Sequence, residues 1–262
     1  MSLRRAPRPA ERGHSGGGVR PGAPGTGGLT GSVEDYLKAI YELQEMSSLP
    51  ATTNAIAERL DIAPPSVSGM LRRLAGLELL AYERYKGVSL TASGRRAALR
   101  MLRRHRVIEA YLADRLGYAW DMVHAEAERL EHAASDELID RMARALGEPA
   151  TDPHGAPIPT RDGMLVITPT RMLAEQPLGA RARVANVGDE DGEMLRYLAG
   201  LEIRPGAQVT IIARAPFDGP VTVEVSGRGG KAERTHVLGH TVARAVMVDA
   251  TVKPAKPKRR RT

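Results

Sequence analysis

The chain has 262 residues, which is room for two small domains and their tails, and no Cys, which excludes disulfide frameworks, thiolate zinc sites and thiol nucleophiles. Its net charge of +7 sits in its ends. Residues 1–31 hold five Arg and one Glu, residues 253–262 hold three Lys and three Arg, and setting aside that +4 and +6 leaves −3 for the body. Aromatics at 3% are too few for single-strand stacking platforms, no apolar run approaches a membrane span, and the Arg/Pro/Gly-rich N-terminus lacks the apolar core of a secretory signal, so the cytoplasm is the default location.

Residues 1–31 read as a disordered basic tail. Order begins at Ser32, an N-cap, and Val33, Leu37, Ile40, Tyr41 and Leu43 supply one apolar helical face that Pro50 closes. Thr52 or Thr53 caps a second helix from Asn54 to Leu60. The turn Asp61-Ile-Ala-Pro64-Pro65 then leads to a third helix from Ser66 to Leu74. There Val67, Leu71 and Leu74 face inward, while Ser66, Ser68, Gly69, Arg72 and Arg73 face outward, which is a helix-turn-helix. Leu79–Tyr85, Lys86-Gly87 and Val88–Leu90 read as a β-hairpin, the wing of a winged helix. Thr91 starts a long helix to about Leu116, and two more helical segments run from Tyr118 to Leu146, the second capped by Ser135. Asp152-Pro-His154-Gly155-Ala-Pro157-Ile-Pro159 is a punctuated loop in which His154 reads as structural. From Leu178 short alternating segments with one helix, 191–199, predict a small SH3-like β-barrel. The expected divisions are a tail at 1–31, a winged helix at 32–96, a helical metal-binding and dimerisation domain at 97–160, a linker at 161–177, the β-domain at 178–250 and a basic tail at 251–262.

One stretch carries chemistry. His124, Glu128, Glu131 and His132 recur at i, i+4, i+7 and i+8, which confines two imidazoles and two carboxylates to roughly a 100° arc of a helix. Upstream, His105 and Glu109 repeat the pairing at i, i+4. Stripes built only from ligand residue types suggest a cation site. A solvated salt-bridged face is the alternative for the first stripe, and an ordinary i,i+4 pair for the second. The stretch reads E-R-L-E-H at 128–132, so the H-E-x-x-H of zinc hydrolases is missing. No P-loop, dinucleotide fingerprint or G-x-S-x-G occurs, which argues against a nucleotide cofactor and against an enzyme.

The order of winged helix, His/Glu helices, D-P-H-G-x-P-I-P loop and β-module resembles the diphtheria toxin repressor family of metal-dependent transcriptional regulators. The likeness is most specific in Val33–Glu42, Arg104–Glu109 and Val123–Asp136, and the β-module is similar to the FeoA domain. The resemblance implies a primary metal site of Asp35, Glu128, Glu131 and His132. It implies a second site of His105, Glu109 and His124, with Asp191 as an oxygen ligand from the C-terminal domain; Met194 is too soft for that role. Iron-sensing members place Met and Cys in the primary site, whereas this chain has Asp35 and Glu128, as in the manganese-responsive branch. An all-oxygen and nitrogen site also suits Mn²⁺ on chemical grounds, with Fe²⁺ the alternative effector. Lys38 stands where short manganese regulators carry Glu, which favours separated sites over a close pair of ions. The recognition helix matches over Ala63-Pro-Pro65-Ser66-Val-Ser68-Gly69, with Arg72 and Arg73 as further DNA contacts. The expected partners are double-stranded operator DNA and a second copy of the chain, with no membrane. A metal-buffering protein and a metallohydrolase are the remaining readings.

Overall fold

The structure is a computed structural model that describes residues 30–47, 49–83, 86–188, 191–226, 232–249 and the backbone of 253–254. Of the tails expected at 1–31 and 251–262, residues 1–29, 251–252 and 255–262 lie outside the described residues, while Gly31 already belongs to the first helix and 253–254 pair as a short strand.

α1 (Gly31–Ser47), α2 (Thr53–Arg59) and α3 (Pro64–Gly76) form the first layer. Thr52 caps α2 by accepting from the Ala55 N–H. α3 begins two residues earlier than the pattern suggests, because Pro64 and Pro65 fit a first helical turn that needs no N–H from them. Val33, Leu37, Ile40, Ile56, Val67, Leu71 and Leu74 are the buried apolar positions of these helices. The wing follows as β1 (Leu80–Glu83) and β2 (Gly87–Leu90), paired antiparallel. Gly87 has φ 126°, and a Cβ there would meet the Ala51 carbonyl oxygen, so only glycine lets β2 bridge to residue 51.

α4 (Ala92–Leu116) is the spine of the molecule. Thr91 caps its start, and Gly117, left-handed at φ 69°, closes its end. α5 (Val123–Leu130) and α6 (Asp136–Ala145, capped by Ser135) pack on it over Val107, Ile108, Val123, Ala127, Ile139 and Ala143.

The C-terminal module contains β3 (Thr170–Met172), β4 (Ala180–Val187), α7 (Gly192–Gly200), β5 (Gln208–Arg214), β6 (Val221–Val225), β7 (Arg234–Leu238), α8 (His240–Ala245) and β8 (Val246–Asp249), with β9 (Lys253–Pro254) beside β4. The sheet order is β3-β8-β4-β5-β6-β7, and among the described residues β3 and β7 do not pair, so the SH3-like sheet is not a closed barrel. The module also takes in part of the segment 161–177 read as linker. β3 pairs with β8, and Leu173 is buried in the module's core. Three residues of strand are too few to show a period in sequence.

This module leans on the helical layer. Val187 N–H donates to the His154 carbonyl at 3.0 Å, Arg204 lies over the Trp120 ring at 4.5 Å, and Arg196 pairs with Asp121 at 3.0 Å. Gly155, at φ 89°, sits against the Ala185 carbonyl where no Cβ fits. No helix among the described residues is long and apolar enough to cross a membrane.

Candidate metal centre and DNA-binding face

α1 turns Val33, Leu37 and Ile40 into the core, which leaves Asp35 and Lys38 on the flank facing α5. On the other side, α5 stops at Leu130. Glu131 keeps helical dihedrals and is fully buried, and His132 falls in the turn leading to α6. The four ligand-type residues of that stretch therefore do not act as one stripe; they divide among neighbours.

His132 joins the helical layer to α1. Its Nε2 lies 2.9 Å from Asp35 Oδ1 and its Nδ1 2.9 Å from Glu34 Oε2, while Glu131 Oε1 is 3.9 Å from Nε2. Asp35, Glu131 and His132 each offer a ligand atom within 4.8 Å of the others. A cleft of about 510 Å³ opens onto Asp35, Lys38, His124, Glu128 and His132. Burial raises the Asp35 carboxyl above its ordinary range, and Glu131 and Glu128 push the same way against His132. Burial works against the His132 imidazolium, but Glu34, Asp35 and Glu131 outweigh it and raise its pKa.

Glu128 belongs to a different neighbourhood. Its Oε1 accepts from Lys38 Nζ at 2.7 Å, and the same ammonium reaches both oxygens of Glu131 at 3.3 Å. Burial would lower the Lys38 pKa, but Glu131 and Glu128 overturn that and raise it. Burial likewise opposes ionisation of Glu128, and Lys38 wins, so this carboxylate is held below its usual value.

The third neighbourhood centres on Glu109, in the interior. Its Oε1 is 2.9 Å from His105 Nε2 and 3.2 Å from His124 Nδ1. His105 Nδ1 meets Glu131 Oε2 at 2.5 Å. Desolvation of His105 is overcome by these two carboxylates, which raise its pKa to about 9. The other face of Glu109 meets residues that sequence reasoning left out. His154 Nδ1 lies 3.9 Å from Glu109 Oε2, and Asp152 joins them in a wholly buried group. His154 Nε2 is 2.7 Å from the Trp120 carbonyl, an oxygen that can only accept, so Nε2 carries a hydrogen. Nδ1 then faces the carboxylate, and among the described residues neither Nδ1 nor Glu109 Oε2 has a hydrogen-bond partner. Two buried electron-rich atoms so placed call for a proton or a metal ion between them. Desolvation of His154 is outweighed by Glu109, which raises its pKa to about 9. Burial alone would raise Glu109, but His105, His124 and His154 reverse it and hold that carboxyl well below its ordinary value.

Asp191 stands apart. Its Oδ1 accepts from the backbone N–H of Glu193 and Met194 as the N-cap of α7, and it enters none of the four ligand groups found among the described residues. Capping by Oδ1 accounts for Asp191 in this structure, and its place as a metal ligand is implied only by the motif match. The signal for Asp152 and His154 is the D-P-H-G spacing itself, two ligand types in a rigid loop. Only the tertiary fold shows that this loop meets Glu109, 43 residues earlier in the chain.

The outward face of α3 carries Ala63, Pro65, Ser66, Gly69, Arg72 and Arg73, all exposed. Ser68 is half-buried, with its hydroxyl turned back to the Pro64 carbonyl. A Cβ at Gly69 would meet nothing within 4 Å, and neither Arg72 nor Arg73 pairs with a carboxylate among the described residues.

Comparison with known proteins agrees with this layout. The family described as iron dependent repressor, N-terminal DNA binding domain, matches residues 28–88. Iron dependent repressor, metal binding and dimerisation domain, matches 91–160, and the FeoA domain matches 171–250. The diphtheria toxin repressor of Corynebacterium jeikeium is 32% identical over 237 residues, covering 82% of this chain and 96% of that protein. The chain belongs to the diphtheria toxin repressor family. It is thus a metal-dependent, DNA-binding transcriptional repressor with a dimerisation domain and a FeoA domain, from a family of repressors rather than enzymes. Another similar member is the iron-dependent repressor IdeR of Mycobacterium tuberculosis H37Rv, 31% identical over 84% of this chain and 98% of its own. Among solved structures, a manganese-dependent transcriptional repressor in complex with manganese is 41% identical, with a TM-score of 0.78 over 83% of this chain and 99% of that one.

Proposed function

We propose that this repressor answers to Mn²⁺, with Fe²⁺ as the alternative effector, and binds operator DNA as a homodimer in the cytoplasm. The observation that carries the reading is the meeting of Asp35, from the first helix of the DNA-binding layer, with Glu131 and His132 of the dimerisation layer. The donors there are oxygen and nitrogen without sulfur, a set that suits Mn²⁺ better than softer metals. The likeness to a manganese-dependent repressor at 41% identity supports the same choice.

The residues fit a divalent cation at two places. Asp35, Glu131 and His132, with Glu128 alongside, would hold one between the domains. Glu109, with His105 and His124 on one oxygen and His154 and Asp152 on the other, would hold a second inside. A cation at the first place supplies positive charge shared by both domains, and so couples the pose of α3 to metal supply. Asp35 fixes the α1 side of that joint, and Glu131 and His132 fix the other. In the dimer the two α3 helices would enter successive major grooves about 34 Å apart, with Arg72 and Arg73 on phosphates and Ala63, Pro65, Ser66, Ser68 and Gly69 along the bases. The second place, against the C-terminal module, sets the frame on which the joint rests.

The test is fluorescence anisotropy on promoter DNA from upstream of manganese- and iron-transport genes of the source genome, at fixed salt, with the metal-free protein, with Mn²⁺ and, anaerobically, with Fe²⁺. Tight binding with Mn²⁺ alone is the expected result. An equal or stronger response to Fe²⁺ moves the assignment to iron.

A further inference from the structure

Of the four ligand groups, His105, Glu128 and Glu131 already contain a cation. The Lys38 ammonium donates to Glu128 Oε1 at 2.7 Å and reaches both oxygens of Glu131 at 3.3 Å, with His105 Nδ1 3.0 Å away. Its side chain is 10% exposed, against 44% for Glu128, so the charge sits inside the group rather than at its rim. An ammonium is a compact point charge with three donors, and here its contacts coincide with the atoms a divalent cation would use. Glu131 is shared with the Asp35/His132 group, so the two groups cannot be filled independently.

We propose that Lys38 is a built-in cation that holds α1 to the end of α5 in the metal-free protein and competes with divalent metal for Glu128 and Glu131. The proposal rests on the metal-sensing reading above for the identity of its competitor. Metal response is then an exchange of one cation for another. Apparent affinity is the intrinsic affinity scaled by the fraction of molecules in which the ammonium has withdrawn. The cleft that Lys38 lines with Glu42, one helical turn away, gives the displaced side chain an exit toward that carboxylate, which the Arg59 guanidinium already holds by its Oε2 at 2.5 Å. Such competition sets a threshold, because metal-binding strength is spent first on moving a lysine.

The experiment is a Mn²⁺ titration, read by the electron paramagnetic resonance signal of the free ion, on the wild type, Lys38→Met, Lys38→Arg and Arg104→Met, with folding checked by urea unfolding in chelator. Arg104 touches Glu34 and Asp136 outside the group, so its removal takes away the same unit charge without vacating it. Lys38→Met is expected to bind Mn²⁺ at least about tenfold more tightly, Lys38→Arg to resemble the wild type, and Arg104→Met to change affinity less than about threefold. Unchanged affinity in Lys38→Met, or equal tightening in Arg104→Met, overturns the proposal and leaves the metal-sensing reading intact. Binding by neither the wild type nor Lys38→Met overturns both. A second readout needs no variant: the wild type is acylated with an amine-reactive ester in chelator and in saturating Mn²⁺, and Lys38 is followed by peptide mass mapping. Faster modification with Mn²⁺ is the expected result, and an equal or slower rate overturns displacement.

Discussion

The joint around Asp35 and the interior around Glu109 are made of the same residue types and behave as opposites. At the joint the side chains of Asp35 and His132 are 40% and 31% exposed, and they border an open cleft. In the interior Glu109 and His154 are fully buried, and their charges are balanced by one another. Solvent reaches Asp35 and His132, though not the buried Glu131, so the Asp35–His132 contact contributes little to folding and can be rearranged. In the interior an unbalanced charge has no water to turn to, so the same chemistry becomes structural. A sensor needs both kinds: a rearrangeable contact between domains, and a fixed base for it to work against.

Removing the interior carboxylate is the sharpest way to break that contrast. Glu109→Gln leaves His105, His124 and His154 facing a neutral amide, and the metal-free protein is expected to lose about 3–5 kcal/mol by urea unfolding. A loss that small variants of the joint also produce would erase the distinction. The pH dependence is next in size. His105 and His154 both have folded values raised to about 9. Their contribution is complete below the unfolded value near 6.5 and is lost as pH rises through about 9. Calorimetry in chelator should show the melting temperature falling over that window, and the slope should flatten in Glu109→Gln, whose missing carboxylate supports both histidines. A flat wild-type profile would mean the histidines are neutral.

Asp35→Ala tests the other side. Stability should move by less than about 1 kcal/mol, while the roughly 5- to 150-fold metal-dependent gain in operator affinity disappears. Full manganese-activated binding in that variant would remove Asp35 from the joint. The smallest effect concerns α3. Gly69→Ala adds a methyl that meets nothing within 4 Å, so it should stabilise the fold by about 0.5–1 kcal/mol. Mn²⁺ binding should stay unchanged and operator affinity should fall; unaltered affinity would turn that face away from DNA.

The sequence is most legible where local rules act alone. Thr52, Thr91 and Ser135 mark their helix starts, and the inward spacing of Val67, Leu71 and Leu74 defines α3, whereas of the expected Lys86-Gly87 turn only Lys86 lies in the turn and Gly87 already opens β2 opposite Glu83. The site is less legible, because its logic is tertiary. Periodicity puts His124, Glu128, Glu131 and His132 on one arc, but Ser135 begins α6 so soon that the chain leaves α5 at Leu130, and His132 turns to α1. Lys38 is visible in sequence as a departure from relatives, but its place inside an acidic group follows only from how α1 lies against α5. Asp191 carries an oxygen donor at a matching position, and in the fold its Oδ1 caps a helix N-terminus. His154 reads as a loop residue because nothing local connects it to Glu109.

The contact of the C-terminal module with the Asp152–Gly155 loop has a consequence for how the molecule is made. Synthesis delivers α3 before the C-terminal module. The hydrogen bond from Val187 to His154, the seat of Gly155 on Ala185 and the cover of Arg204 over Trp120 all wait for residues beyond 180. A nascent or prematurely ended chain can therefore present α3 while its interior histidine lacks these supports. The C-terminal module thus completes the packing around the domain that precedes it in the chain.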